Sequence, residues 1–407
     1  MTLSFRSIAV FVALLFFARE GLDGVIRYVL GSYGLSFLVY LPTALMVVFV
    51  VLHFLAHQRR DPQWISLVLL SLFGISGLMG WLNSGSWSQT LFALYVFFPF
   101  FFGFQTGDLL YECKWARTII VFLGVLFAFG VFLEVGRELP WKGFSYEIGG
   151  MEVQGSRIWR SIGLERLSGF SRYSFSIAIL CMSFLVILYG RVKPFLYFVL
   201  FVFIGAAIVL TTTKGVILVW LLMLLLLVFV KPASALLYHI GLKWGLVLTF
   251  VVGLTLPIST LWVVYSLDLD DLLSRIVFLS FEMRLGIVWP HGMESFTHFW
   301  DFIVGRGAGQ MGVAQMMYDQ ANYNPGDNMY LYLLVVFGLP SLLLLALFLY
   351  RLFKLNGTRG YMNYLFMALF IFVYGIFANV MESAVLSYFL GSLIAVAFRE
   401  KHTKKAL

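Results

Sequence analysis

Long apolar runs alternate with short polar breaks from one end of the chain to the other. Runs rich in Leu, Val, Ile and Phe occupy about 4–18, 34–56, 63–81, 87–104, 117–135, 173–190, 194–211, 215–230, 244–265, 329–350, 361–378 and 383–398. Most have the length at which an α-helix crosses a hydrocarbon core of roughly 30 Å. A helix also satisfies its own backbone hydrogen bonds where no water can do so. The pattern predicts an all-α polytopic membrane protein of about twelve transmembrane helices.

Two breaks, at about 136–172 and 266–327, are far longer than a helix connection needs. Connections beyond roughly 12–15 residues are commonly functional. Amphipathic helices are expected in these loops. In the second, Trp289, Phe296, Phe299 and Trp300 stand at near-helical spacing, which predicts such a helix lying on the membrane or the bundle. No low-complexity tract, linker or repeat divides the chain, so 1–407 reads as a single integral membrane domain.

Composition excludes a soluble fold. Of 407 residues, 61% are hydrophobic and only 12% charged. The polar residues are too few to cover the outside of a globule. The net charge of +8 would by itself point toward nucleic acid, but its distribution does not. Lys and Arg concentrate at His57-Gln58-Arg59-Arg60, around Lys114 and Arg117, at Arg191 to Lys193, Lys231 to Lys243, Arg351 to Arg359 and the tail Arg399 to Lys405. All of these lie on one face, which is therefore cytoplasmic and holds both termini. The long loops then face the periplasm, and no nucleic-acid partner is expected. The first apolar run follows Arg6 like the core of a signal peptide, but many more runs follow it, so an uncleaved anchor is expected. Cys113 and Cys181 lie far apart and imply neither a disulfide framework nor a metal site.

Charges beside membrane spans are costly and usually functional. On the outer face they gather in four places. These are Arg157, Arg160, Glu165, Arg166 and Arg172 ahead of the sixth run; Thr211-Thr212-Thr213-Lys214-Gly215 between two apolar runs; Arg275, Glu282 and Arg284, followed by Trp289; and Gly326-Asp327-Asn328-Met329-Tyr330. Each has a plain structural reading. Arginines snorkel or form loop salt bridges, Lys214 can anchor a hairpin, and Asp327-Asn328 can cap the next helix. Together they suggest that basic groups from separated segments converge beside a carboxylate. Arginine forks fit phosphate oxygens, and a carboxylate near an acceptor hydroxyl can act as general base. The implied substrate class is a lipid diphosphate presented from the outer leaflet.

These segments resemble the bacterial O-antigen polymerase and O-antigen ligase superfamily over about residues 155–345. The motifs are Arg166-Leu167-Ser168-Gly169; Thr211-Thr212-Thr213-Lys214-Gly215; Arg284-Leu285-Gly286-Ile287-Val288-Trp289 with Gly305-Arg306-Gly307-Ala308-Gly309; and Asp327-Asn328 followed by Gly338-Leu339-Pro340-Ser341. Two positions depart from the family pattern. Asp327 stands where a catalytic histidine is proposed, and Lys214 stands where arginine is usual.

The resemblance implies glycosyl transfer at the periplasmic face of the bacterial inner membrane. The donor is a glycan on undecaprenyl diphosphate, and no metal or other cofactor is needed. Arg284 and Lys214 would grip the diphosphate, assisted by Arg166, Arg275 and Arg172. Asp327 would take the acceptor proton, with Asn328 and Tyr330 beside the glycan. An aspartate near its ordinary pKa of about 4 is a weaker base than histidine, so burial would have to raise it. His291 and His298 are the alternative bases in the large loop. A chain-length regulator and a flippase are the expected protein partners. The Asp-Asn start favours the polymerase branch; a ligase transferring glycan to lipid A-core is the alternative. A lipid-linked oligosaccharide flippase remains the reading from another class, although midplane charges and related halves are missing.

Overall fold

The computed structural model describes residues 5–56, 63–148, 151–161, 164–230, 235–265, 271–355 and 360–398. The basic stretches at 57–60, 231–234, 356–359 and 399–405 lie outside them. The chain is 77% helical, as the apolar pattern requires. Among the described residues, five helical stretches are long and apolar enough to cross a membrane: Ser36–Leu55, Trp64–Ser84, Trp87–Thr106, Lys114–Glu134 and Leu237–Ser259. At 1.5 Å per residue, twenty residues span roughly 30 Å. Shorter apolar helices cover Ser174–Leu188, Pro194–Leu210, Tyr361–Gly375 and Ala384–Phe398.

The chain divides into two compact units built from interleaved segments, Met1–Val50 with Asp108–Ala235 and Val51–Gly107 with Leu236–Leu407.

In the first unit the Ser174–Leu188 helix has no polar face and is almost wholly buried. Helices Phe5–Ser32, Lys114–Glu134, Pro194–Leu210 and Lys214–Leu225 surround it. The rings of Phe17 and Phe127 meet Phe184 at 5.9 and 6.0 Å. The first helix runs on to Ser32 instead of ending near 18. It can do so because Arg19, Asp23 and Arg27 follow one another at four-residue spacing and pair along one face. Arg27 Nε lies 2.9 Å from Asp23 Oδ2, and Arg19 Nη2 lies 3.3 Å from Asp23 Oδ1.

The first long loop holds two antiparallel hairpins in place of the expected amphipathic helix. Ser145–Ile148 pairs with Met151–Gln154, and Arg160–Ser161 with Leu164–Glu165. Two four-residue segments joined by Gly149-Gly150 are a hairpin signal, and helical periodicity is absent from this stretch.

In the second unit the Phe98–Thr106 and Ala384–Phe398 helices pack along each other. The apolar run 329–350 is two helices, Met329–Phe337 and Leu339–Lys354. The break falls at Gly338, whose φ is +69° and whose missing Cβ would lie 2.5 Å from the Ile303 carbonyl oxygen. The chain must pass there at backbone distance, which only glycine permits. The run 87–104 likewise divides, into Trp87–Val96 and Phe98–Thr106. The run 244–265 is shifted to Ala235–Ser259.

The second long loop contains helices Leu272–Met283, Trp289–Glu294, Phe299–Val304 and Val313–Tyr318. The single amphipathic helix expected through Trp289 and Trp300 is therefore two short ones. Between them the Asp301 carboxylate accepts from the Thr297 and His298 backbone N–H groups at 2.9 and 3.0 Å, and this turn starts a new helix. Trp289 is fully buried while Trp300 is 69% exposed, so the aromatic residues do not share a face.

The Gly-rich turn that follows is tied to two helices. Ala308 N–H donates to Ser76 O at 2.8 Å, Asn83 Nδ2 to Arg306 O at 2.8 Å, and Gln89 Nε2 to Gly309 O at 2.7 Å.

Candidate functional site

The second unit brings Arg284 and Asp327 together. Arg284 follows the Leu272–Met283 helix and opens a π-helical turn, Arg284–Val288. Such turns widen the backbone ring by a residue and recur at functional positions. Arg284 Nη1 donates to Ser280 O at 2.7 Å, which aims Nη2 at Asp327 Oδ2, 3.1 Å away. From the same turn region, Trp289 Nε1 donates to Asp327 O at 3.2 Å. Both the backbone and the side chain of Asp327 are thus held by one helical segment. About a third of the Asp327 side chain (36%) and 19% of Arg284 remain accessible. Desolvation raises the Asp327 carboxyl above the ordinary aspartate range, while Arg284 beside it pulls the other way.

Three asparagine and glutamine side chains build the turn that presents this pair. Asn324 Oδ1 accepts Gly326 N–H at 2.9 Å, and its Nδ2 donates to Val288 O at 2.8 Å. Gln315 Oε1 accepts Asn324 N–H at 2.8 Å. Asn328 caps the Met329–Phe337 helix by accepting Leu331 N–H at 2.9 Å, and its amide donates to Gly253 O and Ile376 O. Tyr330 donates its hydroxyl to Phe372 O at 3.0 Å. Both Asn328 and Tyr330 are fully buried. Each uses its polar atoms inside the protein, because a buried amide or hydroxyl must be paired, and Asn328 takes the capping place that its sequence position also allows. Arg275 stands exposed on the Leu272–Met283 helix, and His291 and His298 are exposed on the loop.

The remaining expected residues belong to the first unit. Arg166 and Arg157 each place a guanidinium 5.1 Å from the Trp159 ring, and Arg172 lies 4.9 Å from the Tyr173 ring. The loop carrying Arg166 is anchored by Glu134, whose carboxylate accepts Ser168 and Gly169 N–H at 2.8 and 2.6 Å and pairs with Lys142. Lys214 is half-buried at the start of the Lys214–Leu225 helix. It follows a tight threonine turn in which Thr211 Oγ1 donates to Ile208 O at 2.7 Å and lies 3.0 Å from Thr213 Oγ1. Thr212 there has φ +52° and is the one non-glycine residue with positive φ among the described residues.

Glu382 was not anticipated from the sequence. It lies between the Tyr361–Gly375 and Ala384–Phe398 helices and accepts Val313 N–H at 2.9 Å, next to Gly312, whose N–H donates to Asn324 O at 2.8 Å in the turn that presents Asp327. A single acid between two apolar runs was the available signal, since charges at such places are costly. No family model, curated protein or solved structure matches the chain.

Proposed function

We propose that the chain is a membrane glycosyltransferase of the bacterial inner membrane. It joins glycan repeat units carried on undecaprenyl diphosphate, at the periplasmic face. The observation that carries the reading is the Arg284–Asp327 pair, a partly accessible carboxylate held 3.1 Å from a guanidinium in a large loop of a highly apolar chain. About twelve spans, both termini in the cytoplasm and outward-facing long loops complete the proposal.

In this reaction Asp327 removes the proton of the acceptor hydroxyl. The acceptor oxygen bonds to the donor's anomeric carbon, and the bond from that carbon to the diphosphate oxygen breaks. The electron pair leaves with the diphosphate, whose growing charge Arg284 stabilises, a contribution usually large among catalytic effects. The raised pKa direction of Asp327 suits it to accept a proton. For Lys214, Arg166, Arg172 and Arg275, phosphate contacts rest on the family resemblance alone.

The test is a glycan gel of a deletion strain complemented with wild type or Asp327→Asn. A single repeat unit on lipid A-core in the deletion supports polymerase. Loss of all core-linked glycan, with lipid-linked polymer accumulating, shows a ligase instead. Precursors retained inside the cell would overturn glycosyl transfer in favour of transport.

A further inference from the structure

Glu382 sits in a cradle with too few donors for an anion. One backbone N–H, that of Val313, is shared between its two oxygens at 2.9 and 3.1 Å. The Tyr332 hydroxyl is 3.4 Å from Oε1, and Asn379 lies alongside. The chain closes on the carboxyl at Gly312, where φ is +86° and a Cβ would stand 2.1 Å from Oε1. A carboxylate offers about four acceptor sites, and no cation pairs with Glu382 among the described residues. Arg284 is engaged by Asp327.

We propose that Glu382 is a positioning residue for the Arg284–Asp327 pair. It keeps its proton while Asp327 is ionised, so the three groups together are neutral when they meet an anionic diphosphate. The titratable groups that act on Glu382 are Asp327 and Tyr332, and Arg284 pairs with Asp327. Desolvation pushes the Glu382 carboxyl up to about 8, and the Asp327 charge adds to the rise against the hydrogen bonds of Val313 and Tyr332 and the adjacent Asn379 amide. Above that pH Glu382 ionises, the cluster turns negative, and an anionic donor is repelled. The proton placement stands on the geometry; its consequence for the donor rests on the proposed glycosyl transfer.

The experiment has two arms on the full-length protein in lipid nanodiscs. Infrared titration of protein labelled with 13C-glutamate reads the protonated carboxyl band. At pH 7 wild type should show a labelled acid band containing a component that Asp327→Asn moves to lower pH and that Glu382→Gln removes, whatever Glu20 and Glu134 contribute. Absence of a labelled acid band in wild type, or a band no component of which responds to Asp327→Asn, overturns the proposal, and neither reading needs Glu382→Gln to fold. In the second arm, transfer is assayed with lipid-diphosphate glycan extracted from the deletion strain. The wild-type KM for donor should rise about tenfold per pH unit above the Glu382 midpoint at constant kcat, and Glu382→Gln should flatten it. An equal rise in both proteins overturns the positioning role. No transfer by wild type at any pH defeats the glycosyltransferase reading instead, and the infrared arm still decides where the proton is.

Discussion

Arg284 reaches Asp327 across more than forty residues of chain with Nη2 3.1 Å from Oδ2, and the Ser280 carbonyl at 2.7 Å from Nη1 fixes its direction. Because one guanidinium makes both contacts in a fixed fork, lysine cannot reproduce the geometry. Arg284→Ala should reduce glycan transfer by about 10²–10³-fold or more while membrane insertion stays normal. Arg284→Lys should recover only part of this. Polymer length and amount on a glycan gel, with immunoblots for membrane level, check both; unchanged output in Arg284→Ala removes the phosphate role.

Lys214 stands at a position where the resembled family uses arginine. If its charge contacts phosphate, Lys214→Arg should retain most transfer and Lys214→Met should lose it, measured in the same complementation. Equal activity of the two variants would assign Lys214 to the helix start alone.

Glu134 and Lys142 form a buried pair, with side chains 2% and 6% exposed, that holds the Ser168-Gly169 loop. Lys142→Met leaves the Glu134 carboxylate without its cation, and breaking such a pair costs about 3–5 kcal/mol. The double variant Glu134→Gln/Lys142→Met should cost clearly less than Lys142→Met alone. Thermal unfolding in detergent measures both, and a Lys142→Met protein as stable as wild type contradicts the pairing.

Thr212 holds φ +52°, a region that β-branched residues enter only under strain of about 1–3 kcal/mol. Thr212→Gly should therefore leave stability unchanged or raise it by about 1 kcal/mol, because the relieved strain exceeds the added entropy of the unfolded chain. A midpoint below that of wild type would show that the Thr212 side chain makes a contact worth more than its strain.

The stability of the protein should depend on the Glu382 proton. A carboxyl raised to about 8 in the folded state binds more protons folded than unfolded. Its contribution is present below the ordinary carboxylate range and is lost as pH rises toward about 8. Wild type should therefore lose stability relative to Glu382→Gln between about pH 5 and 8. Parallel melting curves across that window would place the Glu382 pKa in the normal range.

Apolar length and charge asymmetry are properties of sequence, so membrane character and helical class were legible without a structure. The limits that hydrophobicity leaves open were not. The first helix continues past Arg19 because partners four residues away neutralise one another, and the run 329–350 breaks because Ile303 passes too close to Gly338. Both depend on neighbours, one along the helix and one distant in the chain.

The chemistry divides in the same way. Sequence alone marked Arg284 and Asp327 as costly charges beside apolar runs, and it offered both the capping and the ligand reading for Asn328. Tertiary structure decided between them, since Asn328 is buried with its amide bonded to Gly253 and Ile376, far away in sequence. It also brought Glu382 to Val313 and Tyr332, on either side of the Asp327 turn in the chain, a relation no local pattern encodes. Residue type and spacing determine what a segment can do, whereas burial, pairing and protonation depend on which segments the fold brings together.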